Sequence, residues 1–227
     1  MDLFDIIGPV MIGPSSSHTA GAARIGKLTR MLLGSAPVQA KIGLWGSFQK
    51  TYKGHGTDKA LIGGLLGMEV DDPRLRDSLT CAERAGLRVS FYNAKLRGAH
   101  PNTVVLDVTG DDGRSVNVQA ASVGGGEIMI RSIDGMETGI SGHADTLVIT
   151  YRDVPGMIAA ITGEVAASRL NIATMRVFRR DVGGEALVSL EIDSAANQAL
   201  INRLTALKDV AHVAYLAARG EEGAANE

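Results

Sequence analysis

The chain has 227 residues, of which 45% are hydrophobic and 4% are aromatic. Its 23 lysines and arginines nearly balance its 25 aspartates and glutamates. A chain of this length and apolar content can form two modest hydrophobic cores, so we expect two domains. Because it has neither a strongly basic charge nor many aromatic stacking surfaces, it does not fit the class of nucleic-acid-binding proteins.

The N-terminal segment and the cysteine content narrow the class further. Residues 1–8 carry acids where a secretory signal needs cations, and no apolar run approaches the roughly 20 residues that cross a bilayer. We therefore expect a cytoplasmic protein without a membrane partner. The single cysteine, Cys81, excludes an internal disulfide and is too few for an iron–sulfur cluster or a structural zinc site within this chain.

The first element in the chain follows a dense polar cluster. Residues 12–21 place a histidine, His18, and four hydroxyl side chains between glycines, directly before an apolar helical pattern over 20–33. The four hydroxyl residues are Ser15, Ser16, Ser17 and Thr19. Polar groups beside a buried segment are costly unless they are bonded or bind something, so this cluster is a candidate site.

A second polar cluster precedes the second predicted helix. A strand is predicted over 39–48, and residues 50–59 then combine lysines, threonines and His55 between two glycines. The following helix is predicted over 57–67, so both clusters lie at the beginning of a helix. Together they indicate a site for a small hydroxylated anion.

The rest of the N-terminal region is predicted to be rich in sheet. Strands are predicted over 87–92, 102–108, 115–122 and 127–133, separated by turn sequences. Residues 138–145 are small and polar, with little hydrophobic periodicity, and are interpreted as a linker.

The C-terminal region has a different pattern. Strands are predicted over 146–152, 172–180, 186–192 and 210–216, with helices from 153 to 169 and from 197 to 207. That order is βαββαβ, the ferredoxin-like arrangement. We therefore predict an α+β protein with a mixed α/β domain over 1–140, a ferredoxin-like domain over 146–219 and a frayed tail over 220–227.

Two motifs carry a resemblance to a known family. Residues 13–19, Gly-Pro-Ser-Ser-Ser-His-Thr, together with residues 53–58, Lys-Gly-His-Gly-Thr-Asp, resemble the beta chain of iron–sulfur-dependent L-serine dehydratase. The C-terminal βαββαβ region, with Asp-Val-Pro-Gly at 153–156 and Leu-Asn-Ile at 170–172, is similar to an ACT domain. The resemblance covers nearly the whole chain.

The resemblance implies an activity and its partners. It implies conversion of L-serine to pyruvate and ammonia by an enzyme whose alpha subunit holds a [4Fe–4S] cluster, with no metal ligand supplied by this chain. It also implies that the chain is inactive alone. ACT domains commonly bind amino acids across dimer interfaces, so self-association through this domain is expected as well.

The candidate site residues follow from this reading. His55 is predicted to act as base or acid, because flanking glycines allow close approach and Lys53 can hold a carboxylate. His18 is the second catalytic candidate, with binding favoured because it lies at a predicted helix N-terminus. The predicted substrate contacts are Ser15, Ser16, Ser17, Thr19, Lys53, Thr57 and Asp58. The candidate ACT ligand residues are Asp153, Val154, Gly156 and Asn171.

Other interpretations of the same residues remain open. Ser17 or Thr19, and likewise Thr57 with Asp58, can be explained as helix caps without any ligand. The chain can also be an amino-acid-sensing regulatory subunit that acts through the ACT-like domain, or a structural stabiliser of the alpha chain.

Overall fold

The computed structural model describes residue 13 and residues 15–218. The chain divides into two compact units between Gly135 and Met136. The tail predicted to fray, 220–227, lies outside the described residues. Helices and strands occur in both units, which confirms the predicted α+β class.

The first unit contains helices and a mainly antiparallel sheet. Its helices are a π-helix at Ser16–Gly21, α1 at Ala22–Leu33, α2 at Ser47–His55, α3 at Thr57–Leu65, a 3-10 helix at Pro73–Asp77 and α4 at Ser78–Arg84. Its strands are β1 at Pro37–Leu44, β2 at Arg88–Asn93, β3 at Thr103–Gly110, β4 at Ser115–Gly124 and β5 at Glu127–Ile133. The strand order is β2-β1-β3-β4-β5, in which β1 and β2 are parallel and the other neighbours antiparallel.

The core of this unit lies between α1 and one face of the sheet. Alternate residues of β3, Val104, Leu106 and Val108, are fully buried, as expected for a strand with one face against the core. Ile25 and Leu32 of α1 are also buried, at a spacing that places them on the same side of the helix. Apolar periodicity therefore explains the layering of helix on sheet.

Two glycines allow α1 and α3 to pack with their backbones almost in contact. A Cβ atom on Gly26 would lie 2.3 Å from the carbonyl oxygen of Leu61, and one on Gly64 would lie 2.0 Å from that of Ala23. Real Cβ atoms do not approach backbone so closely, so both positions require glycine. This packing fixes the helix that follows the first polar cluster against the helix that follows the second.

Two predictions are corrected, one in the first unit and one at the beginning of the second. The strand predicted over 39–48 ends at Leu44, because Gly46 has a positive φ of 64° and the chain turns into α2 with Phe48 fully buried. The second polar cluster therefore lies largely on helix α2 rather than in a loop before α3. Residues 138–145 are also not entirely a linker, since Met136–Ile140 forms a strand, β6.

The second unit confirms the predicted βαββαβ order. After β6 come β7 at Asp145–Arg152, α5 at Met157–Ala167, β8 at Ile172–Arg179, β9 at Glu185–Ile192, α6 at Gln198–Ala206 and β10 at Val210–Leu216. The four strands β10-β7-β9-β8 form an antiparallel sheet in that order. Its core joins the strands to both helices through residues such as Leu147, Ile161 and Leu204, all fully buried.

Candidate functional site

The first polar cluster forms the π-helix that leads into α1. Ser15 caps it, because its hydroxyl accepts a hydrogen bond from the backbone N–H of His18 at 3.2 Å. The Ser15 carbonyl also accepts from the N–H of Thr19 at 2.8 Å. The helical pattern predicted Ser17 or Thr19 as the cap, but the residue that caps the helix is Ser15.

The imidazole of His18 is buried and both ring nitrogens have partners. Nδ1 lies 3.4 Å from the Ser15 hydroxyl, and Nε2 lies 3.1 Å from Oγ1 of Thr51 and 3.3 Å from Oγ of Ser47. Thr51 donates its hydroxyl proton to the Ser47 carbonyl at 2.9 Å, so it accepts from His18. We therefore assign the neutral tautomer with the proton on Nε2.

The surroundings of His18 keep it uncharged near neutral pH. Burial lowers its pKa below the ordinary value of 6.5, and the positive charge that His55 can carry lowers it further. Its ring also contacts that of Phe48 edge-on, with centroids 5.2 Å apart. His18 is therefore held by packing and hydrogen bonds at both nitrogens.

His55 differs from His18 although their rings touch. The two ring centroids lie 4.7 Å apart in an edge-to-face arrangement, and Thr19 donates its hydroxyl to the His55 carbonyl at 3.4 Å. Within the described residues, the buried Nδ1 of His55 has no hydrogen-bond partner. A Cβ atom on Gly54 or Gly56 would meet nothing within 4 Å, so the chain on both sides of His55 borders open space.

That open space is a cleft of about 340 Å³. His55 and Thr19 line it together with the backbone of Gly54 and Gly56. Three cationic side chains also line it: Lys53 from α2, Lys59 from α3 and Arg76 from the 3-10 helix. The cleft therefore combines an imidazole, a hydroxyl and positive charge.

The two remaining predicted contacts of the second cluster have different environments. Thr57 is fully buried at the start of α3, and its hydroxyl has no hydrogen-bond partner within the part of the chain that the structure describes. Asp58 is partly exposed and accepts from the N–H of Lys59 at 2.9 Å. The N-cap of α3 is Gly56, which makes no side-chain cap bond, so the predicted capping by Thr57 is wrong, whereas Asp58 does bond one N–H of the first turn.

The structure brings most predicted site residues together but adds some that the sequence did not indicate. Ser15, His18, Thr19, Lys53 and His55 lie around the cleft or against the residues that line it, and Ser16 and Ser17 are half-buried in the π-helix. Sequence reasoning missed Ser47 and Arg76, and it included Thr51 and Lys59 in the second polar cluster without predicting them as contacts. The four-residue spacing of Ser47 and Thr51 was a usable signal once α2 is recognised, since such residues share a helix face.

The candidate ligand residues of the second unit are engaged with their own chain. Asp153 accepts hydrogen bonds from Arg179 at 3.0 Å and from the N–H of Gly183 at 3.4 Å. Asn171 donates its amide to Asp193 at 2.7 Å. Val154 packs against the core of this unit, and Gly156, with φ of 93°, precedes α5.

The described residues contain no group of three or more histidine, cysteine, aspartate or glutamate side chains that could hold a metal ion. The single thiol, Cys81, lies partly exposed on α4. A [4Fe–4S] cluster is held mainly by several cysteine thiolates. The residues of this chain therefore do not fit such a cluster. In the same part of the chain, no helix has the length and apolar character needed to span a bilayer.

Comparison with protein families gives two matches. Residues 1–85 match the model of the serine dehydratase beta chain, and residues 146–209 match that of the ACT domain. The first match contains both polar clusters and every residue that lines the cleft.

Individual relatives extend the similarity over most of the chain. It is 39% identical to a probable L-serine dehydratase beta chain of Bacillus subtilis over 215 residues, which are 95% of this chain and 97% of that protein. It is 35% identical to the L-serine dehydratase beta chain of Peptoniphilus asaccharolyticus, over 87% of this chain and 89% of the relative. A D-3-phosphoglycerate dehydrogenase of Bacillus subtilis is 26% identical over 156 residues, 68% of this chain and 30% of that protein.

Proposed function

We propose that this chain, which belongs to the serine dehydratase beta chain family, is the beta subunit of an L-serine dehydratase that works with a cluster-bearing alpha subunit. The observation that carries the proposal is that His55, whose Nδ1 has no partner among the described residues, lines one cleft together with three cationic residues. A basic nitrogen and positive charge in one cleft are what abstraction of a proton next to a carboxylate requires.

The proposed reaction removes the α-proton and the β-hydroxyl of L-serine. The resulting aminoacrylate tautomerises and is hydrolysed to pyruvate and ammonia. In this proposal the imidazole of His55, a residue of the cleft wall, takes the α-proton, and the positive charge around the cleft stabilises the carboxylate as negative charge develops at the α-carbon.

His18 has a positioning role in this proposal. Its two nitrogens are already bonded to Ser15 and to Thr51, and its ring packs edge-on against that of His55. Its lowered pKa keeps it neutral, so His18 does not repel a proton arriving on His55. His18 thus supports the orientation and the protonation of the base.

The [4Fe–4S] cluster belongs to the alpha subunit in this proposal. A cluster with an open iron position supplies Lewis-acid chemistry for departure of the hydroxyl group. The contribution of this chain is to bind the carboxylate, orient the substrate and move the proton at His55.

The test is anaerobic co-expression with an alpha chain shown to hold its cluster, followed by assay of pyruvate from L-serine. We expect activity in the pair and none in this chain alone. His55→Gln should lower kcat by about 10²–10⁴-fold with assembly intact, the usual contribution of a general base. His143→Gln, at an exposed histidine of the second unit, is the matched control and should retain activity. An active His55→Gln enzyme would remove this residue from the chemistry.

A second candidate function is regulatory. The similarity to D-3-phosphoglycerate dehydrogenase extends over 156 residues, whereas the ACT match covers only residues 146–209, so it includes more than the ACT domain. A part shared between enzymes whose names indicate different reactions is not tied to either reaction, which is what a regulatory role predicts.

Two substitutions separate regulation from simple loss of structure. Asn171→Ala and Asp193→Ala both break the same hydrogen bond, but only Asn171 is a candidate ligand residue. A changed dependence of rate on serine concentration in Asn171→Ala alone would support sensing. Equal effects in both variants would assign the bond to structure.

A further inference from the structure

The cations of the cleft are arranged differently from the other cations nearby. Lys53, Lys59 and Arg76 come from three separate helices and line one cavity. The side chain of Arg74, on the same 3-10 helix as Arg76, instead forms an ion pair with Asp72 and does not line the cleft.

Neither Lys59 nor Arg76 has an ion-pair partner in the described part of the chain, and no acidic side chain lines the cleft there. Lys53, Lys59 and Arg76 are all exposed, so their charges are solvated, and an anion that enters the cleft does not have to displace a carboxylate to reach them.

Other groups of the cleft also favour an anion. The first turn of α3 borders the cavity at its N-cap Gly56, which makes no side-chain cap bond, and Asp58 bonds one N–H of this turn, that of Lys59. The N-terminus of a helix carries partial positive charge and adds to the attraction of an anion already held by the three cations.

The position of His55 indicates which anion belongs there. In an amino acid the α-carbon is bonded directly to the carboxylate carbon, so a carboxylate held by the cations brings the α-proton to the wall that His55 lines. The cavity, at about 340 Å³, has room for a three-carbon acid.

We propose that Lys59 and Arg76, with Lys53, bind the substrate carboxylate and make the enzyme selective for a free acid over its amide. This inference rests on the proposed function and adds two residues to the substrate site. The guanidinium of Arg76 can bind both carboxylate oxygens, whereas the ammonium groups act as point charges.

The kinetic test uses the reconstituted enzyme. Lys59→Gln and Arg76→Gln should each raise KM for L-serine about 10-fold, with a much smaller change in kcat, because the interaction is made in the ground state as well as in the transition state. Arg76→Lys should raise KM less than Arg76→Gln does, because lysine keeps the positive charge but cannot bind the carboxylate in a bidentate way. Arg74→Gln is the matched control and should leave KM unchanged. A KM within about twofold of the wild type in both Gln variants, by the same comparison of mutant kinetics, would overturn the inference.

A binding test on this chain alone separates the inference from the proposed function. L-serine should shift the imidazole NMR signals of His55 in the wild-type chain, and L-serinamide should not. The shift should be lost in Lys59→Gln and Arg76→Gln and kept in Arg74→Gln. If the reconstituted pair makes no pyruvate but this pattern holds, the function fails and the carboxylate site stands.

The opposite results would overturn the carboxylate site. An active pair with equal shifts from serine and serinamide would do so while leaving the function intact. Weakened assembly with the alpha chain in both Gln variants, without any change in KM, would assign the cations to a protein contact and overturn it as well.

Discussion

Polar groups are used differently in the two units of this chain. In the second unit, Asp153 and Asn171 are bonded within their own chain, and the buried hydroxyl of Thr146 donates to the Ala144 carbonyl at 2.8 Å. In the first unit, His55 Nδ1 and the hydroxyls of Thr57 and Ser122 are buried without a partner among the described residues. Unbonded buried polar atoms cost stability, so the first unit carries a cost that its function can explain.

Backbone geometry shows the same difference. The described part of the second unit has no π-helix, whereas the first unit has one at its polar cluster and also has two helices packed through glycine. π-helical segments within α-helices occur frequently at functional sites. The polar groups of the second unit are thus bonded within the chain, and the unbonded ones that chemistry can use lie in the first unit.

The largest effect is expected where α1 and α3 meet. Gly64→Ala would place a Cβ atom 2.0 Å from the Ala23 carbonyl oxygen, so the helices must separate, and the free energy of unfolding should fall by about 3 kcal/mol. Gly163→Ala in α5 is the control, because its Cβ would meet nothing within 4 Å. It should be neutral or stabilising by up to about 1 kcal/mol. Denaturant unfolding of both variants measures the difference, and equal stabilities would show that close helix packing does not distinguish the units.

The next effect concerns the end of β10 in the second unit. Tyr215 donates its hydroxyl to Asp145, which also accepts from the N–H of Ala218 at 3.0 Å. Tyr215→Phe keeps the ring and loses this bond to a charged acceptor, so the free energy of unfolding should fall by about 1.5 kcal/mol. Burial first, and then Asp145, raise the pKa of Tyr215 from 10.0 to about 12.

The pH dependence of that effect has a defined sign. The unfolded chain loses the Tyr215 proton near pH 10 and the folded chain only near pH 12, so this contribution is complete below pH 10 and is lost as pH rises to about 12. Wild-type stability should therefore fall more steeply than that of Tyr215→Phe across this window. Parallel curves for the two proteins would contradict the assigned bond.

A matched pair of threonines tests the central comparison with opposite signs. Thr57 and Thr146 are both buried, but only Thr146 has a bonded hydroxyl in the described structure. Replacing each by valine keeps the shape. Thr146→Val should destabilise by about 1 kcal/mol through loss of a bond, and Thr57→Val should be neutral or stabilising by a similar amount. Destabilisation of similar size in both variants, measured by denaturant unfolding, would show that the Thr57 hydroxyl is bonded in solution.

The success of sequence reasoning differs between the units for a physical reason. From β7 onward the second unit follows apolar periodicity, so the six elements of its βαββαβ part could be predicted in order, whereas β6 was not predicted. In the first unit the apolar pattern of β1 continues through Phe48, and only the positive φ of Gly46 shows that α2 has begun. Residue types and helix starts predicted that His18 and His55 belong to candidate sites. Their contact, and the convergence of Lys59 and Arg76, depend on how α1, α2, α3 and the 3-10 helix pack, which no local pattern encodes.

The smallest expected effect is also the most direct test of how the two histidines are coupled. Burial is the larger cause of the lowered pKa of His18, and the charge on His55 is the smaller one. His55→Gln should therefore raise the pKa of His18 toward 6.5 without reaching it, as followed by NMR titration of the imidazole. The folded pKa of His18 lies below its unfolded value, so the stability that neutral His18 contributes is present above pH 6.5 and is lost as the pH falls below it. In His55→Gln the difference between the two pKa values is smaller, so less stability should be lost. An unchanged His18 pKa would mean that the two rings touch without electrostatic coupling, and would remove His18 from control of the proton on His55.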